Sequence, residues 1–358
     1  MSAVRWFDAT WEVGCTDAGG KASGLGELTA QGLPIPPGFV VTTAAYHRSR
    51  AVGRLDESVL PMLAGLDPSD LADVADRCAG IRAIVRQLPM DAGSEEQIRG
   101  AYRELCRQCH VADVPVAVRS SATREDSAGD SFAGEHDTYL WVRGEDDVLD
   151  AVRRCWASLF TDRATCYRLD RGLDHLSGEM GVVVQKMVQP RSAGVAFTLN
   201  PANGDRSAIA IESSWGFGEA VVAGEVTPDS CLVDKVMFVI TYRAIATKEQ
   251  EYVLSGADAV VRVAIDAARG EQSSLTDEEV LDVARLARKV ERIYSCPQDI
   301  EWAIDAHDGR GGGVTLLQAR PEASWSRRPR TVQVEDPADF MSSIVSTLMA
   351  PLHAREDD

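Results

Sequence analysis

The sequence is short of three things: positive charge, long apolar segments and a leader-like N-terminus. Its 37 Lys and Arg residues are outnumbered by 55 Asp and Glu, and the net charge of −18 disfavours binding to nucleic acid or to an anionic membrane, since both require a basic surface. No run of 18 apolar residues occurs, so no segment is expected to span a bilayer. The first residues, MSAVRWFDATWEVGC, lack a basic region followed by an apolar stretch. We therefore expect no signal peptide and a cytoplasmic protein.

Cysteine is present, but not in a pattern that indicates disulfides or a metal site. In a cytoplasmic protein the eight cysteines are expected to be free thiols. Cys106, Cys109 and His110 match the C-x-x-C-H motif of c-type haem attachment, but they also end a helix-like stretch whose apolar face includes Tyr102 and Leu105. A buried helix face is therefore favoured over haem. No second Cys/His pair lies at a spacing suitable for zinc.

The sequence does contain a mixture of helical and strand patterns. With 358 residues, 45% of them hydrophobic, the chain can form two or three domains. Apolar spacing predicts helices over about 22–31, over 56–109 with polar breaks and over 147–169, and Thr276 followed by Glu279 predicts a capped helix start. Strands are predicted after residue 38 and over 114–119, 181–201 with breaks at Pro190 and Gly194, 207–216, 230–244, 299–305 and 314–321. This order indicates an α+β or α/β architecture with a boundary near residues 190–200.

Two stretches have the composition of a phosphate-binding site. Gly19 and Gly20 allow a ligand to approach the backbone, and Lys21 can reach a phosphate as a point charge. Taken alone, this tripeptide is more often a surface turn. Arg119 is predicted at the end of the 114–119 strand, where its guanidinium can grip two phosphate oxygens. The loop DSAGDSFAGEHDT behind it offers backbone N–H groups and hydroxyls, and a solvated acidic loop is the alternative.

The last two predicted strands carry polar residues at alternate positions. Asp299 and Glu301 share one face of the first strand, and Gln318 and Arg320 share one face of the second. Paired as a hairpin, the two strands would bring these four side chains together. Carboxylate and amide oxygens on neighbouring strands suit Mg²⁺ that also holds substrate phosphates. A surface hairpin with an exposed salt bridge is the alternative, although the apolar residues in between indicate that the other face is buried.

Six segments together carry a resemblance to a known family. The chain resembles the N-terminal nucleotide-binding domain of the pyruvate phosphate dikinase and phosphoenolpyruvate synthase family, which rifampin phosphotransferase shares. In family order over residues 17 to about 323, the matching segments are GGKASGLGELTAQGLPIPPGFVVT, VAVRSSATREDSAGDSFAGEHDTYL, WASLFTDRATCYR, VVVQKMVQPRSAGVAFTLNP, ESSWGFGEAVVAGEVTPD and PQDIEWAID with LLQARPE. The resemblance implies an ATP-grasp fold of α+β class, with one half over 1–190 and a second over 191–325 that close on ATP.

The resemblance also implies a role for individual residues. Those implied to contact ATP are Lys21 and Arg119 at the phosphates, Ser131, Gly134 and Thr138 in the cover over them, Gln185, Met187 and Val188 around the adenine, and Glu219, a weaker candidate, at the ribose or a second metal. Those implied to act in phosphoryl transfer are Glu301 and Gln318 as Mg²⁺ ligands, Arg320 facing the transferring phosphoryl group and Asp299 in support. Two departures from the family are Glu135, where Gln is common, and a longer turn containing Gly311, Gly312 and Gly313.

The family's phosphohistidine does not find a counterpart in this sequence. Family enzymes pass phosphate from ATP to a histidine on a mobile domain, and none of the six histidines follows the glycine-rich lead and Ser or Thr of that domain. No segment after residue 323 is long enough for an acceptor domain. We therefore expect a partner subunit that carries the phosphohistidine and the acceptor site, as in split aryl phosphate synthases that act on phenol or cresol and release AMP and phosphate.

Alternatives to this arrangement stay open. The chain could instead be a nucleotide-responsive binding subunit, or a subunit of a split phosphoenolpyruvate synthase or antibiotic phosphotransferase. In the tail, residues 326–358, Asp336 and Pro337 favour a helix start. The stripe that follows is expected to dock the partner or to pack on its own domain, and it consists of Phe340, Met341, Ile344, Val345, Leu348 and Met349.

Overall fold

A computed structural model describes most of the chain up to residue 322. The described residues are 2–123, 126–127, 130–131, 138–174, 176, 178–255, 259–306, 313–322 and 325, with backbone alone at 126–127, 130–131 and 259. Residues 1–322 form one compact unit. The predicted tail helix, Gly134, Glu135, Gly311 and Gly312 lie outside the described residues.

The first part of the chain folds into helices around a five-stranded sheet. In chain order the elements are β1 (Val4–Trp6), α1 (Cys15–Ala18), α2 (Gly20–Ala30), β2 (Gly38–Val41), α3 (Thr43–Val52), α4 (Leu55–Leu63), α5 (Leu71–Arg86), α6 (Ala92–Cys109), β3 (Val116–Ala122), β4 (Asp126–Ser127), β5 (Asp130–Ser131), β6 (Thr138–Val142), α7 (Glu145–Ala157), α8 (Asp162–Asp170) and β7 (Met180–Lys186). The sheet order is β1-β2-β7-β3-β6, and β4 and β5 pair separately. One face of the sheet packs on a large core with helices such as α5 and α7, and the other packs on α1 and α2.

The second part of the chain forms a six-stranded sheet. Its elements are β8 (Pro190–Phe197), β9 (Ala208–Trp215), α9 (Glu219–Val222), β10 (Asp229–Asp234), β11 (Ile240–Ala244), β12 (Gln250–Ser255), β13 (Ala259–Ala264), α10 (Ala267–Gly270), α11 (Asp277–Tyr294), β14 (Gln298–Asp305) and β15 (Val314–Pro321). The sheet order is β11-β10-β9-β8-β14-β15, and β12 and β13 form a separate hairpin. The apolar face of α11 covers one side of this sheet, together with Leu28 and Leu33 from the first part of the chain.

Two sequence patterns form the helices that they predict. Thr276 caps α11 in a capping box with Glu279, as expected from their spacing. The C-x-x-C-H segment ends α6, where Tyr102, Leu105 and Cys106 are buried. All eight cysteines are free. The buried helix face predicted for this segment is therefore confirmed.

Three local predictions differ from the structure. The strand predicted to end at Arg119 continues to Ala122, because the small buried Ser120 and Ser121 still pair with β7. The break predicted at Gly194 is wrong, since β8 runs through it; a Cβ there would lie 1.9 Å from the carbonyl oxygen of Glu212 on β9, so the glycine permits close strand approach. Helix α3 was not predicted.

The strand pairings decide between the two predicted classes. Every pairing between strands that the structure describes is antiparallel, and the helices of the first part are grouped in sequence rather than alternating with strands. This is the α+β class, which is confirmed. In the described part of the chain no helix is both long and apolar enough to cross a membrane.

Candidate functional site

The site begins with a side chain that reaches from one sheet to the other. Arg119 lies on β3 of the first sheet, with its side chain 14% exposed. Its Nη1 donates to the carbonyl oxygen of Leu317 at 3.2 Å, and its Nη2 donates to Oε1 of Gln318. The same Nη2 lies 3.6 Å from Oε2 of Glu301. The predicted phosphate-binding arginine and the two predicted metal ligands are thus brought together from opposite sheets.

A cavity of about 290 Å³ opens beside Arg119. It lies between the sheets, and its walls include β3 and β7 on one side and β8, β14 and α9 on the other. The predicted site residues in its lining are Arg119, Thr138, Gln185, Met187, Val188, Glu219 and Glu301. Thr138 is paired directly opposite Arg119 across β3 and β6. Most other lining residues are apolar, which suits a cavity for a flat organic group with polar contacts at one end.

The segment after β7 has few backbone donors to spare. The N–H of Lys186 donates to Pro37 at 2.9 Å, and that of Met187 donates to Pro115, also at 2.9 Å. These two N–H groups are therefore engaged within the protein and cannot also bind a ligand. Val188 follows directly in the cavity wall, so its backbone is placed to meet a ligand.

The Gly19–Lys21 segment packs on the far end of β3. Gly19 has φ +80, and a Cβ there would lie 1.9 Å from the carbonyl oxygen of Ser121, so only glycine fits. Lys21 is in the first turn of α2, where its Nζ donates to the carbonyl oxygen of Ser120 at 3.3 Å. Lys21 thus lies beside the residue that follows Arg119. It does not line the cavity within the described part of the chain.

The predicted closing hairpin is confirmed by its register. Glu301 on β14 is opposite Gln318 on β15, and Asp299 is opposite Arg320. These four side chains lie around a second cavity of about 220 Å³. The residues between them on β14, Ile300 and Trp302, are buried in the core under α11, so the polar side chains take the other face.

Asp299 occupies an unfavourable place for a charged carboxylate. Its side chain is 19% exposed, and its Oδ2 lies 3.6 Å from Nε of Arg320. Among the described residues its buried Oδ1 has no hydrogen-bond partner. Burial raises the pKa of Asp299 to about 6, while Arg320 lowers it and Glu322 raises it further. The site therefore holds a carboxylate whose charge calls for a further positive partner.

One acidic residue of the site escaped the sequence analysis. Glu212 on β9 lines the second cavity. The strand register places it in a row with Val195, Glu301 and Gln318 across four neighbouring strands. The available signal was a single acidic residue within the otherwise apolar run AIAIE, which stands out in a strand buried on both faces.

Two predicted residues of the cover cannot be placed. Ser131 belongs to β5, but its side chain is outside the described residues, as is Gly134 altogether. Their predicted contacts with phosphates stay predictions.

The geometry can now be set beside known proteins. Residues 16–339 match the family described as pyruvate phosphate dikinase, AMP/ATP-binding domain. The chain belongs to this family. The family predicted from the six segments is thereby confirmed, and ATP or AMP binding is the property that its description names.

Curated relatives match nearly all of this chain and less than half of themselves. Probable phosphoenolpyruvate synthases of Methanothermobacter thermautotrophicus and Staphylothermus marinus are 42% and 40% identical to it, and the phosphoenolpyruvate synthase of Pyrococcus furiosus is 36% identical. The alignments cover 93%, 94% and 93% of this chain but 48%, 43% and 45% of those proteins. Among solved structures, D-alanyl-alanine synthetase A of Vibrio cholerae aligns with 64% of this chain and 47% of its own at 13% identity and a TM-score of 0.28, which supports no argument about the fold.

The donor set at the hairpin fits a magnesium ion that is shared with a substrate. Glu301 and Gln318 present a carboxylate and an amide oxygen to one place, and the unpaired Oδ1 of Asp299 lies on the same face. Among the described residues no group of three or more His, Cys, Asp and Glu is arranged to hold a metal. Mg²⁺ commonly takes one or two protein carboxylates and completes its shell with phosphate oxygens and water, so this set suffices only with a phosphate ligand present.

Proposed function

We propose that the chain is the ATP-binding subunit of a split dikinase-type phosphotransferase with an ATP-grasp fold. In this proposal, residues 1–190 and 191–325 are two halves that close on Mg-ATP. A histidine of a partner subunit receives a (pyro)phosphoryl group, AMP and phosphate are released, and the histidine then phosphorylates a phenolic acceptor such as phenol or 4-cresol. The observation that carries the nucleotide part is the meeting of Arg119 with Glu301 and Gln318 beside a largely apolar cavity.

The cavity accommodates the base, and the polar end accommodates the phosphates. In the proposal the adenine lies against Gln185, Met187 and Val188, with the backbone of Val188 as a contact because the neighbouring N–H groups are engaged. Glu219 is assigned to the ribose. These positions leave the triphosphate pointing from the cavity toward Arg119.

Arg119 has to change partners for the phosphates to bind. Its Nη2 now donates to Gln318 Oε1, the atom assigned to the metal. When Gln318 binds Mg²⁺, we expect the guanidinium to turn to the phosphate oxygens, which accept its fork in a bidentate manner. Lys21 approaches from the Ser120 side of the same strand as a second cation.

The hairpin side chains are assigned to phosphoryl transfer. Bound Mg²⁺ would neutralise phosphate charge and align the reacting group. Arg320, 48% exposed, faces outward and is placed to stabilise negative charge on the transferring phosphoryl group. Asp299 orients Arg320 across the strand pair, and Ser131, Gly134 and Thr138 are assigned to the cover.

The acceptor histidine is proposed to belong to another polypeptide. His47 contacts Glu179 at 3.0 Å and His110 ends α6, and neither lines the two cavities. The other four histidines lie outside the described residues. The relatives have more than half of their length outside the matched region, which is room for the acceptor machinery that the reaction requires.

A second candidate differs in the acceptor. The curated relatives are named phosphoenolpyruvate synthases, which favours pyruvate as the final acceptor in place of a phenol. A nucleotide-responsive subunit without phosphoryl transfer is the remaining alternative. The retained charged residues favour catalysis over binding alone, since a binding module would not require Arg320 and Glu301 together.

The reaction can be tested by identifying the nucleotide product. ATP, Mg²⁺, this chain and the protein encoded by the neighbouring gene are incubated with phenol, 4-cresol or pyruvate, and the nucleotides are separated. We expect AMP as product and little turnover from this chain alone. ADP as the sole product, or full activity without the second protein, would contradict a split dikinase.

The site assignment is tested by three substitutions in the same assay. We expect Lys21→Ala, Arg119→Ala and Glu301→Ala each to abolish turnover, because a lost phosphate contact or metal ligand costs several kcal/mol at the transition state. The surface variant Arg285→Ala, which removes an exposed ion pair with Asp282, serves as control. Near-normal turnover in any two of the three site variants would refute the assignment.

A further inference from the structure

One aromatic side chain forms part of the wall of the largely apolar cavity. Phe217 lies between β9 and α9, is 8% exposed and lines the cavity with Ala117, Leu140 and Met187. Its backbone N–H donates to the carbonyl oxygen of Tyr252 on β12 at 3.1 Å. The ring therefore belongs to the cavity and its backbone belongs to the second part of the chain.

Two glycines hold Phe217 in this place. Gly216 has φ +72, and a Cβ there would lie 2.2 Å from the carbonyl oxygen of Tyr252. A Cβ on Gly218 would lie 3.3 Å from Cβ of Ala193 on β8. The backbone on both sides of Phe217 is thus packed against other strands, which leaves the ring little freedom to move away from the cavity.

A tryptophan from the first sheet packs against this ring. Trp141 on β6 is 6% exposed, and its ring centroid lies 6.0 Å from that of Phe217 at an interplanar angle of 88°. An edge-to-face arrangement at this distance is favourable for aromatic pairs. Trp141 also lies on the same strand as Thr138, which is paired opposite Arg119. The pair therefore links the phosphate-binding strands of the first sheet to the cavity wall from the second.

Trp141 is held in a conformation that folding alone does not favour. Its φ is +63, in the left-handed region that bulky residues rarely adopt, at an irregularity in the β3–β6 register. Within the described part of the chain its buried Nε1 has no hydrogen-bond partner. Backbone strain and an unsatisfied buried donor both disfavour the folded state. What this conformation achieves is the placement of the indole edge against Phe217.

We propose that Phe217 is the residue on which the base of the nucleotide stacks, and that Trp141 is a positioning residue that sets the plane of its ring. The inference rests on the proposed function, because it takes the cavity as the base site. A rigid aromatic wall favours a purine over a pyrimidine, since the larger ring system gains more from stacking. The pair would thus contribute to the choice of ATP among nucleoside triphosphates.

The test separates base binding from phosphate binding. Dissociation constants of the full-length chain with Mg²⁺ are measured by calorimetry for ATP, CTP and inorganic tripolyphosphate, which has no base. Loss of a base–aromatic contact is worth about 1–3 kcal/mol, so we expect Phe217→Leu to weaken ATP binding about tenfold or more. We expect tripolyphosphate binding to stay unchanged and the preference for ATP over CTP to fall.

Conservative variants provide the matched controls. Phe217→Tyr keeps the ring and should retain the ATP affinity and the ATP preference. Trp141→Leu should weaken ATP binding in the same direction as Phe217→Leu but less, and Trp141→Phe should restore part of the loss because an aromatic edge remains. The combined Phe217→Leu and Trp141→Leu variant should lose less than the sum of the two, because Trp141 acts through Phe217.

Two results would overturn the inference while leaving the proposed function intact. The first is a Phe217→Leu variant that binds ATP as the wild type does. The second is an equal loss of ATP, CTP and tripolyphosphate, which would show a structural role only. If the wild-type chain binds neither ATP nor tripolyphosphate, the proposed function and the inference both fail.

Discussion

At the scale of single residues, the site contains a carboxylate whose charged form is disfavoured by its surroundings. Asp299 is mostly buried, contacts Arg320 only at 3.6 Å and has a pKa raised to about 6, chiefly by burial. In the unfolded chain the same group ionises near 3.8. Between these values the folded chain retains a proton that the unfolded chain has lost, so stability falls as the pH rises through this window.

The substitution Asp299→Asn should therefore stabilise the ligand-free protein above pH 6. One pKa unit corresponds to about 1.4 kcal/mol, so the gain is on the order of 2–3 kcal/mol at neutral pH and vanishes toward pH 4. Thermal midpoints of both proteins in EDTA between pH 4 and 8 measure it. The exposed Asp150→Asn variant should change stability by less than about 0.5 kcal/mol. A Tm gap for Asp299→Asn that does not grow with pH would refute the pKa assignment.

At the scale of elements, several structures followed from local sequence and others did not. The capping box of α11 involves residues three apart, and the β14–β15 face follows from alternation, so both were predictable. The contact of Arg119 with Gln318 joins residues 199 apart, and the resemblance, rather than any local pattern, suggested it. The left-handed Trp141 and the row position of Glu212 depend on register between strands, which no local pattern in this chain specifies.

A buried ion pair holds the loops around β10 and β12 together. Nζ of Lys248 lies 2.5 Å from Oδ1 of Asp229, and the two side chains are 0% and 2% exposed. Asp229 also accepts from the N–H of Ala246 at 3.0 Å and from the N–H and Oγ of Ser274 at 2.7 and 2.8 Å. The carboxylate is thus fully surrounded by donors, and the network connects three separate segments of the second part of the chain.

Removing the cation alone should be costly. Lys248→Met leaves the Asp229 carboxylate buried without its counter-charge, for which we expect a loss of about 3–5 kcal/mol in unfolding free energy. Arg285→Met removes the cation of an exposed pair with Asp282, whose side chains are 58% and 49% exposed, and should cost less than about 1 kcal/mol. Chemical unfolding of both variants gives the comparison. Equal effects would mean that burial of the pair has no energetic importance.

At the scale of the whole molecule, the acidic chain has to meet the protein that accepts its phosphoryl group. The reaction proposed above requires a mobile histidine to reach the place where Arg119, Glu301 and Gln318 converge. The domain that carries it has to be tethered close by, since each cycle moves it between the nucleotide and the acceptor. A docking element outside the two cavities would hold the partner without obstructing the nucleotide.

The tail is the segment that we propose for this docking, on the ground of its apolar stripe from Phe340 to Met349. Its predicted helix lies outside the described residues, so the proposal rests on sequence alone. Deleting residues 331–358 should weaken assembly with the protein encoded by the neighbouring gene and leave the dissociation constant for ATP unchanged. Within the full chain, Ile344→Asp places a charge in the stripe, whereas Ser346→Asp places the same charge on the opposite face of the predicted helix. Co-purification should fall for the first variant and not for the second. A truncated chain that co-purifies fully with its partner would refute docking by the tail, and a loss of ATP affinity on truncation would show that the segment supports its own domain instead.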